Sequence, residues 1–156
     1  MPADAADAAA DPTKNLITDE AGIAQIARTS HRVAVLGMKT EAQAEQAAFY
    51  VPRYLAEAGV DVVPVPVYYP EVTEILGRKV YRKLADVPGE LDLVDVFRRP
   101  ADIDAHVDDI IAKKPKAVWF QSGIVNDRAA MLLAAAGIKV VQDRCLMVDH
   151  RRYAGR

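Results

Sequence analysis

Cys145 is the only cysteine in this chain of 156 residues. No disulfide can close within it, and a cysteine-based zinc site is excluded. Charge of one sign is missing as well: 20 basic against 22 acidic side chains leave a formal net charge of −2. No general field therefore attracts nucleic acid, and any anion site has to be built locally. The apolar runs are a handful of residues long, far short of a membrane span. The Ala- and Asp-rich start has neither a basic n-region nor an apolar h-region, so it does not read as a signal peptide. Glycine is sparse where dinucleotide-binding proteins need it. There is no G-x-G-x-x-G, and no glycine lies between Gly37 and Gly59, which argues against ordinary NAD binding. No Ser/His/Asp arrangement has the context of a nucleophile elbow, and no H-x-x-x-H or carboxylate cluster suggests a metal. Neither a catalytic residue nor a metal ligand is assigned.

What is present is an ordinary globular balance, 51% hydrophobic and 27% charged, in a length that suits one domain with a real core. Residues 1–13 are expected to be a disordered extension, and residues 14–156 one domain in the cytoplasm. Thr18 is the expected N-cap of a first helix in which Ile23, Ile26 and Ala27 recur at helical spacing up to Thr29. Arg32-Val33-Ala34-Val35-Leu36-Gly37 reads as a strand buried on both faces and closed by glycine. Further strands are expected at 60–65, 91–97, 117–121 and 138–141. Helices are expected at 51–58, 101–112 and 126–136. Such alternation implies a parallel sheet, so the expected fold is α/β, a Rossmann-like doubly wound parallel five-stranded sheet. The stretch 68–88 breaks the pattern and should carry a short strand or turn near Val80-Tyr81 and a short helix from about Lys83. Exposed sheet edges would allow a homodimer.

In an open parallel sheet, ligands bind beyond the carboxyl ends of the strands, where the strand order reverses. That rule selects Gly37, Met38, Lys39 and Thr40; Val65, Pro66, Val67 and Tyr68; Phe97 and Arg98; Gln121, Ser122 and Gly123; and Cys145. Gly37 lets the backbone turn tightly beside a pyrophosphate, or it simply ends a strand. Lys39 is either a phosphate contact or a solvated lysine. Pro52 favours the first turn of a helix, so residues 39–48 are expected to form a loop over the ligand, a mobile cover. Arg98 and Arg99 either wall the ligand or form surface ion pairs with Asp102 or Asp104. Tyr68 and Tyr69 could flank a purine. Trp119 reads as core, and His106 as a surface residue. Cys145 reads as a small hydrophobe unless Arg144 activates it.

Taken together, V-A-V-L-G at 33–37, Y-V-P-R-Y-L at 50–55, L-G-R-K-V-Y at 76–81, L-A-D-V-P at 84–88, D-L-V-D-V-F-R-R-P at 92–100, V-W-F-Q-S-G-I at 118–124 and D-R-C-L-M-V-D-H at 143–150 carry a resemblance. The chain resembles, from about Ile17 to Tyr153, the small stand-alone CoA-binding proteins, which share their fold with the nucleotide-binding domain of the succinyl-CoA synthetase α subunit. The resemblance implies that the chain binds coenzyme A or an acyl-CoA as a small-molecule ligand. Gly37, Lys39 and Thr40 would face phosphate. Pro66, Val67 and Tyr68 would border the adenosine, and Arg98, Gln121, Ser122 and Gly123 would line the pantetheine path, with Cys145 on its route. The synthetase's phosphorylated histidine comes from a second domain that this sequence lacks, so catalysis by the chain alone is not expected. The loop after Gly37 departs from the family's Ser-, Pro- and Arg-bearing pattern: it is rich in Ala, Glu and Gln, and Lys39 is its only cation. Three alternatives stand beside CoA binding. They are an accessory subunit of acyl-CoA metabolism, a CoA-linked redox sensor acting through Cys145, and a domain whose ligand site has decayed.

Overall fold

A computed structural model describes residues 11–155. Five parallel strands form the main sheet: β1 (Arg32–Leu36), β2 (Asp61–Val65), β5 (Leu93–Val96), β6 (Ala117–Phe120) and β7 (Lys139–Val141), in the order β2-β1-β5-β6-β7. The order reverses at β1, which pairs with β2 on one side and β5 on the other. A separate hairpin joins β3 (Glu74–Ile75) to β4 (Arg78–Lys79). Helices α1 (Glu20–Thr29), α2 (Ala47–Glu57), α3 (Val107–Lys113), α4 (Asp127–Ala135) and α5 (Leu146–Tyr153) complete the architecture. The expected doubly wound, Rossmann-like α/β sheet is therefore present.

The strands are apolar on consecutive positions because both faces are covered. Ala34, Leu36, Val94, Val96, Val118 and Phe120 pack with Ile103, Val107, Ile110, Ala130 and Leu133 on one side. Val33, Val35, Leu93 and Trp119 pack with Ile23, Ile26, Phe49, Leu55 and Leu146 on the other. Trp119 is a core residue, as read from the sequence, and its indole Nε1–H donates to the Arg144 carbonyl at 2.8 Å. Both edges of the sheet are occupied. Pro64 in β2 has no N–H to offer, and its carbonyl accepts from the Tyr81 amide at 3.0 Å. At the far edge, the Ile17 amide donates to the Val140 carbonyl at 2.8 Å. Each edge of the sheet thus receives one such backbone hydrogen bond from within the chain.

Several local expectations are corrected. Asp19, not Thr18, caps α1, its carboxylate accepting from the Gly22 amide at 3.1 Å. The second helix begins at Ala47, so Pro52 sits inside it. A proline there leaves the carbonyl four residues earlier without its helical donor. That carbonyl belongs to Ala48, and it accepts instead from the Lys39 amide at 3.1 Å. Residues 100–106 form a 3₁₀ helix before α3 begins. With three residues per turn, positions three apart share a face, so His106 follows the buried Ile103 inward and is half-buried, not a surface residue. In the irregular stretch, Leu76 and Gly77 both take positive φ, the type I′ geometry of a tight hairpin, and a 3₁₀ turn runs from Leu84 to Asp86 after Lys83. Leu146–Tyr153 forms a helix that no expected element covers. Of the expected N-terminal extension, residues 1–10 lie outside the described residues, while Pro12–Asn15 forms a 3₁₀ turn.

Candidate functional site

The carboxyl ends of β1, β2 and β5 meet at Gly37. Its amide donates to the Val65 carbonyl at 2.9 Å, and the Phe97 amide donates to the Leu36 carbonyl at 2.9 Å. Gly37 adopts φ +85°, and a Cβ placed on it would lie 2.3 Å from the Phe97 carbonyl oxygen. Only glycine allows the strands to close this tightly. Two concavities flank the turn. A narrow cleft of about 50 Å³ is lined by Gly37, Met38, Lys39, Val67, Tyr68, Tyr69, Phe97 and Arg98. A larger cavity of about 270 Å³ has Leu36, Val65, Pro66, Val67 and Leu84 as apolar lining, with Arg82, Lys83, His106 and Asp109 as its polar wall. Val67 borders both. This is the strand-order reversal at which open α/β sheets hold their ligands.

Arg98 is directed by its neighbours. Its Nε donates to His106 Nε2 at 3.3 Å, Asp102 lies 3.6 Å from Nη2, and the guanidinium sits 5.8 Å from the centre of the Tyr68 ring. Burial first, and the Arg98 charge second, lower the basicity of His106. A neutral His106 with a free Nε2 lone pair is what the Arg98 hydrogen bond requires. Arg99 points away, pairing with Asp102 at 2.8 Å while its side chain is 82% exposed. The ion pairs expected with Asp102 therefore form, yet Arg98 still lines the cleft.

The loop after Gly37 is tied by hydrogen bonds at several points and carries a 3₁₀ turn at Glu41–Gln43. Met38 is buried in the core behind the cleft. The Lys39 amide is held by Ala48, and the Glu41 carboxylate accepts from the Leu76 amide at 2.8 Å. Thr40 is buried, and its hydroxyl donates to Gln43 Oε1 at 2.8 Å while accepting from the Ala42 amide at 3.3 Å. Its side chain thus serves the turn it starts, and Lys39 is left as the residue of this loop whose charge lines the cleft.

The remaining candidates lie apart from both concavities. Gln121 is buried, and its Nε2 donates to Asp95 Oδ1 at 2.7 Å. Ser122 and Gly123 are exposed at the end of β6, and the Gly123 amide donates to Asp143 Oδ1 at 2.6 Å. Cys145 is half-buried, directly preceding α5 and packed against the core. Arg144 does not serve it, because its guanidinium is divided between Asp149 (2.7 Å) and Glu20 (2.9 Å). Sequence reasoning missed Arg82, Lys83, His106 and Asp109 on the cavity wall, and the buried Asp95 of β5. The signals available were the basic pair that follows Y81 and a lone carboxylate within the apolar run L-V-D-V. Asp95 is wholly buried, burial pushes its carboxyl up to about 8 against the opposing effect of the Gln121 hydrogen bond, and its Oδ2 has no partner.

Residues 31–151, which contain every element of the site, match the family model described as CoA binding domain. The chain belongs to the CoA-binding domain family. The Bacillus subtilis (strain 168) protein YneT is 30% identical over 131 residues, covering 84% of this chain and 93% of its own. A Thermus thermophilus structure is 36% identical, with a TM-score of 0.79, covering 87% of this CoA-binding domain protein and 99% of that chain. The dinucleotide-forming acetyl-coenzyme A synthetase 1 of Ca. Korarchaeum cryptofilum shares the fold at 20% identity and a TM-score of 0.63. Its match covers 76% of this chain and 26% of the synthetase. Among the described residues of this CoA-binding domain, no helix is long and apolar enough to cross a membrane, and no group of three or more His, Cys, Asp or Glu could hold a metal ion.

Two cations, Lys39 and Arg98, thus line the cleft at the Gly37 turn, and the larger cavity adjoins it across Val67.

Proposed function

We propose that this chain binds coenzyme A, or an acyl-CoA, in the paired concavities around Gly37, and that it acts as a binding module and not as a catalyst by itself. The presence of Lys39 and Arg98 on the cleft at the Gly37 turn, beside the larger cavity, carries this reading. Lys39 and Arg98 take the diphosphate, and Pro66, Val67 and Tyr68 border the adenosine. The pantetheine leaves past Phe97 toward Ser122 and Gly123. Gln121 supports that path from below through Asp95. Thr40 contributes through the shape of the loop, since its hydroxyl is already engaged. The redox role for Cys145 has less support, because the thiol lies outside both concavities.

A thermal-shift series with CoA, 3′-dephospho-CoA, NAD and ATP tests the reading. A ligand at a hundred times its Kd stabilises the native state by about 2.7 kcal/mol, a rise of roughly 5 to 10 °C for a domain of this size. CoA should produce such a rise, and Arg98→Gln should abolish most of it. A folded wild-type protein with no shift at millimolar CoA overturns the proposal.

A further inference from the structure

The segment between β2 and the β3–β4 hairpin supplies Val67, Tyr68 and Tyr69, the partition between cleft and cavity. No helix or strand holds it, and Tyr69 lies in the left-handed region at φ 64°. One side chain gathers three of its carbonyls. The Arg82 guanidinium donates from Nη1 to the Tyr68 carbonyl at 3.1 Å, and from Nη2 to the carbonyls of Tyr69 (2.7 Å) and Val72 (2.6 Å). Arg82 in turn follows Tyr81, whose amide is fixed to Pro64 at the edge of β2. The guanidinium is therefore a bracket from the sheet to a loop whose own backbone bonds are the Tyr69–Val72 turn and the Thr73–Val80 contact. Its planar, fixed fork of donors suits three acceptors at once, a geometry that a lysine ammonium on a flexible stem does not reproduce.

We propose that Arg82 is a positioning residue that sets the Tyr68–Tyr69 wall of the binding site, and that it is not itself a phosphate ligand. The inference rests on the CoA-binding reading for its functional consequence. Its structural part stands on the three carbonyls alone. Three of the five guanidinium N–H groups of Arg82 serve backbone oxygens, so only Nε–H and one Nη1–H could meet an anion without disturbing the contacts that hold the wall in place.

Two variants, Arg82→Met and Arg82→Lys, are compared with wild type by amide hydrogen exchange of the ligand-free proteins and by calorimetric titration with CoA. Far-UV circular dichroism melts confirm that each variant is folded. Exchange across residues 67–73 should accelerate in both variants, while α4 and the central strands stay protected. CoA affinity should fall about tenfold in both, as expected when the binding-competent wall is populated only about a tenth of the time. The lysine variant is decisive, because it keeps the charge and loses the fork. A phosphate ligand would predict wild-type exchange in both variants and near-normal affinity in Arg82→Lys, and that pattern overturns the proposal. Unchanged CoA affinity alongside accelerated exchange also overturns the wall role. A wild-type protein that does not bind CoA refutes the functional reading instead, and exchange at 67–73 still decides whether Arg82 is the bracket.

Discussion

Asp95 is the place where a single-atom change has the most calculable effect. Its carboxyl is wholly buried in β5, with one donor, Gln121 Nε2 at 2.7 Å, and an Oδ2 that meets nothing. Burial raises its pKa from 3.8 to about 8. The folded chain therefore keeps this proton over a range in which the unfolded chain has already released it. Between about pH 4 and pH 8 the native state binds more protons, so the Asp95 contribution is fully present below that window and is lost as pH rises through it. The slope is about 1.4 kcal/mol per pH unit, which amounts to roughly 3 kcal/mol between pH 5 and pH 7. Asp95→Asn keeps an oxygen for Gln121 and removes the titration. Its amide places N–H groups where the protonated carboxyl had its own unpartnered O–H, so the two chains should be of similar stability near pH 5. By pH 7 the asparagine variant should be the more stable by about 3 kcal/mol. Urea unfolding at pH 5, 6, 7 and 8, followed by the fluorescence of the buried Trp119, gives both curves by linear extrapolation. Burial also lowers the basicity of His106 and His150, which favours the native state as pH rises. Both histidines are common to the two chains and cancel in the difference. Equal pH dependence in the two proteins would refute the reasoning, because it would mean that Asp95 is charged in the folded state.

Gly37→Ala places a methyl 2.3 Å from the Phe97 carbonyl at φ +85°. A loss of about 3 kcal/mol or more, from left-handed strain plus steric conflict, should appear in denaturant melts, together with loss of the CoA-induced thermal shift. A variant of unchanged stability would show that the strand ends can part at no cost. Pro52→Ala restores an N–H that competes with Lys39 for the Ala48 carbonyl. The helix should gain up to about 3 kcal/mol of intrinsic propensity while exchange at the Lys39 amide accelerates, and unchanged protection there would remove the anchoring role assigned to Pro52.

The sheet was legible because its chemistry is local and repeated. Strands such as V-A-V-L and V-W-F are apolar at every position, which only a sheet covered on both faces requires. The switch-point rule then led to Gly37, Lys39, Val67, Tyr68 and Arg98, which the structure brings together around one turn. What escaped the reading depends on contacts distant in sequence. The α5 stretch L-M-V-D-H-R-R-Y shows little apolar periodicity because its buried polar residues are satisfied elsewhere, Asp149 by Arg144 and His150 by the Tyr54 hydroxyl at 3.0 Å. Pro52 reads as a helix start until Lys39 is seen to take the carbonyl it orphans. His106 reads as exposed on an α-helical wheel and turns inward on a 3₁₀ one. Arg82 shows in the sequence only as half of a basic pair after Tyr81, and its three carbonyl partners are set by a loop that local pattern does not describe.

The covered edges of the sheet bear on how this chain behaves in company. A strand such as V-V-P-V or K-V-V is a template for cross-β growth when its outer backbone is bare. Here the proline in β2 acts as a gatekeeper written into the strand itself. β7, by contrast, is shielded by a bond from Ile17, outside the sheet proper and beyond the span matched to the family. Protection against aggregation is therefore asymmetric: permanent at one border, and at the other conditional on a short peptide staying docked. Undocking of residues 11–17, held by Asn15 on the Ala134 carbonyl as well as by Ile17, would bare that border.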